Sequence, residues 1–184
     1  QTTCMFGQPQ LPAYASCVYS ELARIMHNES TRVVGVILDD FLFHGPRERG
    51  KDQFEVELAR AEKFFGDLQV PTNDKGHPPD TSLTFAGLAI DTVKGHVDID
   101  DEQRVYMIAR IEDILEQDQV SDAALQSVNG SFGWYCYVVY EGRCRRDTVF
   151  KASRSAAKSH TITRPMRAQF KWWITTLKDK RYRT

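Results

Sequence analysis

Apolar residues recur at helical spacing over residues 11–28, at Tyr14, Val18, Leu22, Ile25 and Met26, and Pro12 suits the first turn of such a helix. The pattern then changes. Residues 33–38 and 41–44 are short β-branched and apolar runs that read as two strands. The stretch "GPRERG" punctuates the chain. Residues 51–68 place Phe54, Leu58, Ala61, Phe65 and Leu68 on one stripe, which predicts an amphipathic helix. A loop rich in turn formers, "VPTNDKGHPPD", separates it from "SLTFAGLAIDTVKGHVDI", which reads as two strands joined near Lys94-Gly95.

At Asp100 the strand signals stop. Asp100 and Gln103 resemble a capping box, and Val105, Ile108, Ile111 and Leu115 follow at helical spacing. Ser121 can cap a further helix that contains Gly130 and Gly133. Residues 141–163 are polar, basic and poor in aliphatics, and read as an extended connector. A last helix, "RPMRAQFKWWITTLKD", has Pro165 early and Trp172, Trp173 and Leu177 as apolar anchors. The order helix, hairpin, helix, hairpin and then helices predicts an α+β unit followed by a helical one.

Hydrophobic residues make up 41% of the 184, enough for an ordinary core. No apolar run reaches the roughly 18 residues of a membrane span. The first residues show no basic-then-apolar leader, and the missing Met suggests a start inside a longer protein. Cys4, Cys17, Cys136 and Cys144 lack disulfide or zinc spacing, so free thiols and an intracellular, cytoplasmic or nuclear setting are expected. The net charge of −1 conceals an asymmetry. Residues 142–184 hold 13 Lys/Arg against 2 Asp/Glu, and the rest of the chain carries the compensating acid. A basic end of this kind suits phosphate, and equally suits a solvated tail.

The stretch "VVGVILDDFLFHG" puts two carboxylates, Asp39 and Asp40, inside an apolar run. One of two adjacent strand residues must face inward, which is costly for a charge. A tight turn with both aspartates at its tip removes the difficulty, and Asp is a common turn residue. A divalent cation is the other solution. Paired carboxylates repel and their pKa values rise, whereas hard oxygen donors on a hairpin suit Mg²⁺ with substrate phosphates.

An apolar strand, two aspartates and a return strand resemble motif C of reverse transcriptases, here Ile37-Leu38-Asp39-Asp40. Upstream, "CMFGQPQLPAYASCVYSEL" resembles motif B, with Phe6, Gly7 and Pro12 in place and Gln8, Pro9 and Leu11 departing from the pattern. Lys75 stands where motif D carries a lysine, "FAGLAID" resembles motif E, and "LQSVNGSFGW" is similar to a thumb segment. "AQFKWWITTL" is similar to the segment leading to ribonuclease H in DIRS-type retrotransposons.

The resemblance implies an α+β fold: a reverse-transcriptase palm, an antiparallel sheet with helices on one face and incomplete at its N-terminus, followed by a helical thumb. It implies a palm at residues 1–99, a thumb at 100–141, and a basic connector and helix at 142–184. It implies primer extension with deoxynucleoside triphosphates on an RNA or DNA template by two-metal phosphoryl transfer. Asp39 and Asp40 would hold Mg²⁺, two ions in the complete enzyme. Lys75 would act as general acid toward pyrophosphate. Phe6, Gly7, Gln8 and Pro12 would shape the nucleotide pocket, and Phe85, Ala86 and Gly87 would form the primer grip.

In such enzymes a third aspartate, on motif A, lies upstream of motif B. The chain alone is therefore expected to be inactive, its partner being the missing fingers and palm segment of the same polyprotein; no membrane partner is expected. Ile37 replaces the usual aromatic residue. That change and the absent motif A favour the alternative, a truncated or domesticated polymerase remnant that binds nucleic acid or protein without catalysis.

Overall fold

The computed structural model describes residues 11–28, 33–37, 40–43, 50–70, 80–155 and 157–180; for residues 11–15, 28, 33–37, 40 and 50–54 it describes the backbone alone. The fold is α+β, with small antiparallel sheets and helices, and it divides into two compact units, Gln1–Asp80 and Thr81–Thr184. Among the described residues no helix is long and apolar enough to cross a membrane.

In the first unit, helix α1 (Leu11–Asn28) is followed by strands β1 (Val33–Ile37) and β2 (Asp40–Phe43) and helix α2 (Gly50–Asp67). The core gathers Leu22, Met26, Ala61 and Phe65, with Tyr19, Phe41 and Phe43 packed against them. Phe41 is its hub: the ring lies 5.0 Å from Phe65 and 5.8 Å from Tyr19, both edge-on, an arrangement aromatic quadrupoles favour. The buried face of α1 is thus Tyr19-Leu22-Met26. Val18, expected on the stripe, is exposed.

The second unit begins with three strands, β3 (Ser82–Phe85), β4 (Leu88–Asp91) and β5 (His96–Ile99), in a meander. The sequence reading found only the second of its two turns. The first is the two-residue connection Ala86-Gly87, where both residues have positive φ, 50° and 78°. A primed hairpin turn requires this, and Ala is a poor indicator of it. Helices α3 (Asp101–Glu116), α4 (Asp122–Tyr135), α5 (Asp147–Ser153) and α6 (Arg164–Asp179) follow, with β6 (Gln119–Ser121) pairing β7 (Ser159–Thr161). Asp100 caps α3, Ser121 caps α4 and Thr163 caps α6, each through a side-chain oxygen on a backbone N–H. On α3 the core face is Met107-Ile111-Ile114, while Val105 is exposed.

Ile99 is fully buried in the helical core and Asp100 caps α3, so strands 82–99 share a compact unit with the helices that follow. One expectation about this unit changes. Residues 141–163 are not an extended connector. They form a 3₁₀ turn (Tyr140–Arg143), α5 and β7, with Val149 and Ile162 buried. Trp173 explains this order. Its indole stacks on Phe132 at 4.3 Å and 5°, and its Nε1–H donates to the Arg145 carbonyl at 3.1 Å. Gly142 lies beneath the same ring, where a Cβ would meet Trp173 Cη2 at 2.5 Å.

Gly142→Ala should therefore destabilise this unit by about 1–3 kcal/mol through overpacking. Gly130→Ala, at an exposed helical site with nothing within 4 Å of the added carbon, should stabilise it by about 0.5–1 kcal/mol. Urea denaturation of the two variants beside the parent measures both, and equal midpoints would contradict the packing described.

Candidate nucleic-acid interface

The β1–β2 register runs Val33↔Phe43, Gly35↔Leu42, Val36↔Phe41 and Ile37↔Asp40. Asp40 is therefore the first strand residue after the connection, paired through its backbone with Ile37. The sequence reading had placed both aspartates at the tip, with strands at 33–38 and 41–44. The register moves the connection one residue back, to positions 38–39, because Asp40 completes the ladder with Ile37. Asp39, Phe6, Gly7, Gln8 and Lys75 lie outside the described residues. Pro12 is the second residue of α1, as the helix start predicts. Among the described residues no group of three or more His, Cys, Asp or Glu side chains is gathered to hold a metal.

The second unit brings the remaining expected residues to one place. The turn Ala86-Gly87 is pinned from both sides. The Trp134 indole Nε1–H donates to the Ala86 carbonyl at 2.8 Å, from 48 residues further along the chain, and the Asp100 N–H donates to the Gly87 carbonyl at 3.0 Å. Asp100 does more than cap α3. Its Oδ1 also accepts from the Thr84 hydroxyl at 3.2 Å, so one carboxylate joins β3 to the start of α3. With both carbonyls bound, the left-handed conformation of Ala86, which costs about 1 kcal/mol or more for a residue with a Cβ, is held in place.

An open cleft of about 380 Å³ results, lined by Ala86, Gly87, Gln103, Gly130, Ser131, Trp134 and Tyr135. One wall is the hairpin turn and the others are α3 and α4. Phe85, the first of the three expected primer-grip residues, is half-buried at the end of β3 and is not among the lining residues. Gly130 leaves one position of the α4 wall, beside Ser131 and Trp134, without a side chain, which permits a close approach to the helix there. Further along the same two helices the Arg110 guanidinium donates to the Ser127 hydroxyl at 2.9 Å and lies over the Tyr106 ring. No carboxylate pairs with it among the described residues, which leaves a cation beside the groove. Burial, with the Asp100 carboxylate adding to it, pushes the Tyr135 phenol up to about 12, so it stays a neutral donor, facing the Gln103 carbonyl at 3.4 Å.

The acidity of α3 is also reduced by partners. Glu112 pairs with Lys178 at 2.7 Å, and Asp101 pairs with Lys180 at 3.1 Å and with Arg104. By sequence Glu102, Glu112, Asp113 and Glu116 make this helix a poor phosphate-facing surface; in the fold Glu112 and Asp101 are paired with cations.

The sequence alone leaves Trp134 open between the helical core, its default, and a duplex-facing side, and gives Gly130 only as a sign of helix packing or a break. The usable signal was their spacing of four within one helix, a glycine and an indole on the same side, with the glycine not needed for packing. No protein-family model, curated protein or solved structure matches the chain.

Two outcomes check this geometry. Asp100→Ala removes the cap and the hairpin tie together and should cost about 1–2 kcal/mol in chemical denaturation; loss of a surface cap alone would lie at the low end. The raised folded-state value of Tyr135 means that the native state holds its proton longer than the unfolded chain. Its contribution is complete below pH 10 and is lost as pH climbs toward about 12. Tyr135→Phe should flatten the alkaline decline in stability over that window, and an unchanged decline would contradict the burial described.

Proposed function

We propose that the chain is part of a nucleic-acid polymerase of the reverse-transcriptase kind, in which the second unit holds the primer strand. The observation that carries the reading is the hydrogen bond from Trp134 to Ala86. It joins the two segments that the resemblance assigns to the primer: the motif E-like turn and the thumb-like helix. They meet at an open cleft with a glycine, Gly130, on one wall and a cation, Arg110, beside it.

A sugar–phosphate backbone fits such a place. Gly130 permits close approach and Arg110 offers charge to phosphate, while the Tyr135 and Ser131 hydroxyls, which donate to the Gln103 and Ser127 carbonyls, keep acceptor lone pairs for sugar hydroxyls. Holding the primer end rigidly is the contribution such a unit makes to phosphoryl transfer, where positioning and charge stabilisation account for most of the rate.

In the first unit, Asp40 pairs with Ile37 where the β1–β2 ladder closes, and the sequence doublet Asp39-Asp40 has a hard-oxygen donor chemistry that fits Mg²⁺. When bound, Mg²⁺ neutralises the triphosphate and polarises the reacting oxygens. The chain's own part would be to supply the two carboxylates, next in sequence to Phe41, which packs edge-on against Phe65. A third carboxylate, from a segment not in this sequence, is required for a complete site. Lys75 and the residues Phe6, Gly7, Gln8 and Pro12 would serve proton transfer and nucleotide binding.

The test is primer extension by a polypeptide joining this chain to a segment that supplies the third carboxylate. Extension should occur, Asp39→Ala should reduce it by at least about a hundredfold, and primed-duplex binding should persist. Equal extension by parent and variant would remove the carboxylate role. Duplex binding without extension by either would favour the non-catalytic binding module.

A further inference from the structure

The basic excess of residues 142–184 is not spread evenly once the fold is in place. Lys151 pairs with Asp147, and Lys178 and Lys180 pair with the acids of α3. Arg167 binds the carbonyls of Leu115 and Gln117. Arg143, Arg146 and Arg154 have no carboxylate partner among the described residues. They lie instead on aromatic rings: Arg143 at 6.0 Å from the Tyr140 centroid, and Arg146 and Arg154 each at 5.4 Å from Phe150.

Like charges gather here. Arg146 and Arg154 share one ring. Arg143 and Arg146 both act on the buried Cys136 thiol, drawing its pKa down against the larger, opposite effect of burial. Arg146 is fixed further by a hydrogen bond to the Asn129 carbonyl at 3.3 Å and by the bare Cα of Gly133 beside its Nη1. Guanidiniums laid on rings lose little freedom on binding an anion and keep their outer N–H donors available.

Two large aromatics lead from the cleft toward these arginines. Tyr137 is 65% exposed and meets Trp134, a cleft residue, edge-on at 5.3 Å. Tyr140 is 72% exposed and carries Arg143 on its ring. Exposed tyrosines followed by arginines without carboxylate partners among the described residues are the composition of a surface on which bases stack while phosphates are neutralised.

We propose that Tyr137, Tyr140, Arg143, Arg146 and Arg154 form a binding track for single-stranded nucleic acid, distinct from the cleft at the hairpin turn. A single strand is specified because exposed rings can stack only on bases that are not already paired. The track does not depend on catalysis and binds whether or not the chain polymerises.

The experiment is fluorescence anisotropy of the 184-residue chain with a labelled oligothymidylate of about twelve nucleotides, titrated at several salt concentrations beside a blunt duplex of equal length. The oligothymidylate should bind more tightly than the duplex. The variant Arg143→Gln/Arg146→Gln/Arg154→Gln should weaken binding by at least about tenfold and reduce the salt slope by about two. Tyr137→Ala/Tyr140→Ala should weaken it by at least about fivefold with the slope unchanged. Arg146 also packs on α4, so Arg143→Gln/Arg154→Gln, both exposed, repeats the test without disturbing that contact, and thermal denaturation verifies the fold of each variant. Unchanged affinity in the folded arginine or tyrosine variants overturns the proposal. So does equal binding of the duplex, or tighter binding of polyglutamate or of anionic phospholipid vesicles. Gly130→Leu separates the two sites: it should weaken a primed duplex and leave the oligothymidylate unaffected.

Discussion

The stacking of Trp173 on Phe132 is the contact on which the second unit depends. Each ring is fully buried, and each comes from a different helix. The indole also takes the Arg145 carbonyl and excludes any side chain at residue 142. One side chain therefore ties α4, α6 and the 3₁₀ turn together. A segment whose composition suggests a solvated linker is thereby held against the core, and its arginines occupy set positions instead of a shared cloud of charge. Without that junction, the basic end would bind anions weakly and without geometry.

A second joint, at Asp100, links sheet to helix. One residue ends the meander, caps α3 through its side chain and fastens the turn at Gly87 through its N–H. With Trp134 holding Ala86, the cleft has two rigid sides built from elements far apart in the chain. The proposed hold on a primer end rests on this rigidity, since small displacements are costly to positioning. Unit one shows the same economy in its Phe41 cluster, which supports the hairpin carrying Asp40.

Much of the helical fold was legible, because caps and periodicity are local signals. Asp100, Ser121 and Pro165 marked helix starts that the structure reproduces, and residues 11–28 and 164–179 were read to their ends. The errors arose where a long-range contact decides. Ala86 adopts positive φ because Trp134 and Asp100 hold its turn, and neither is near it in sequence. Val18 and Val105 fit the expected stripes, yet lie on the exposed sides of their helices, since the partners that choose the buried face are remote. Residues 141–163 look like a connector until Trp173 is placed over Gly142. Asp40, expected in the turn, is the first residue of β2, because its backbone pairs with Ile37.

The chain holds three tryptophans, and their indole N–H groups differ in role. Trp134 lines the cleft and Trp173 is sealed in the core. Following the three indole signals by ¹H–¹⁵N NMR while adding a primed duplex tests the central claim, that the turn and α4 together form the nucleic-acid contact. The account predicts that the Trp134 signal moves progressively with the amides of Gly87 and Gly130, while the Trp173 signal stays in place. A duplex that binds without moving Trp134 would contradict it.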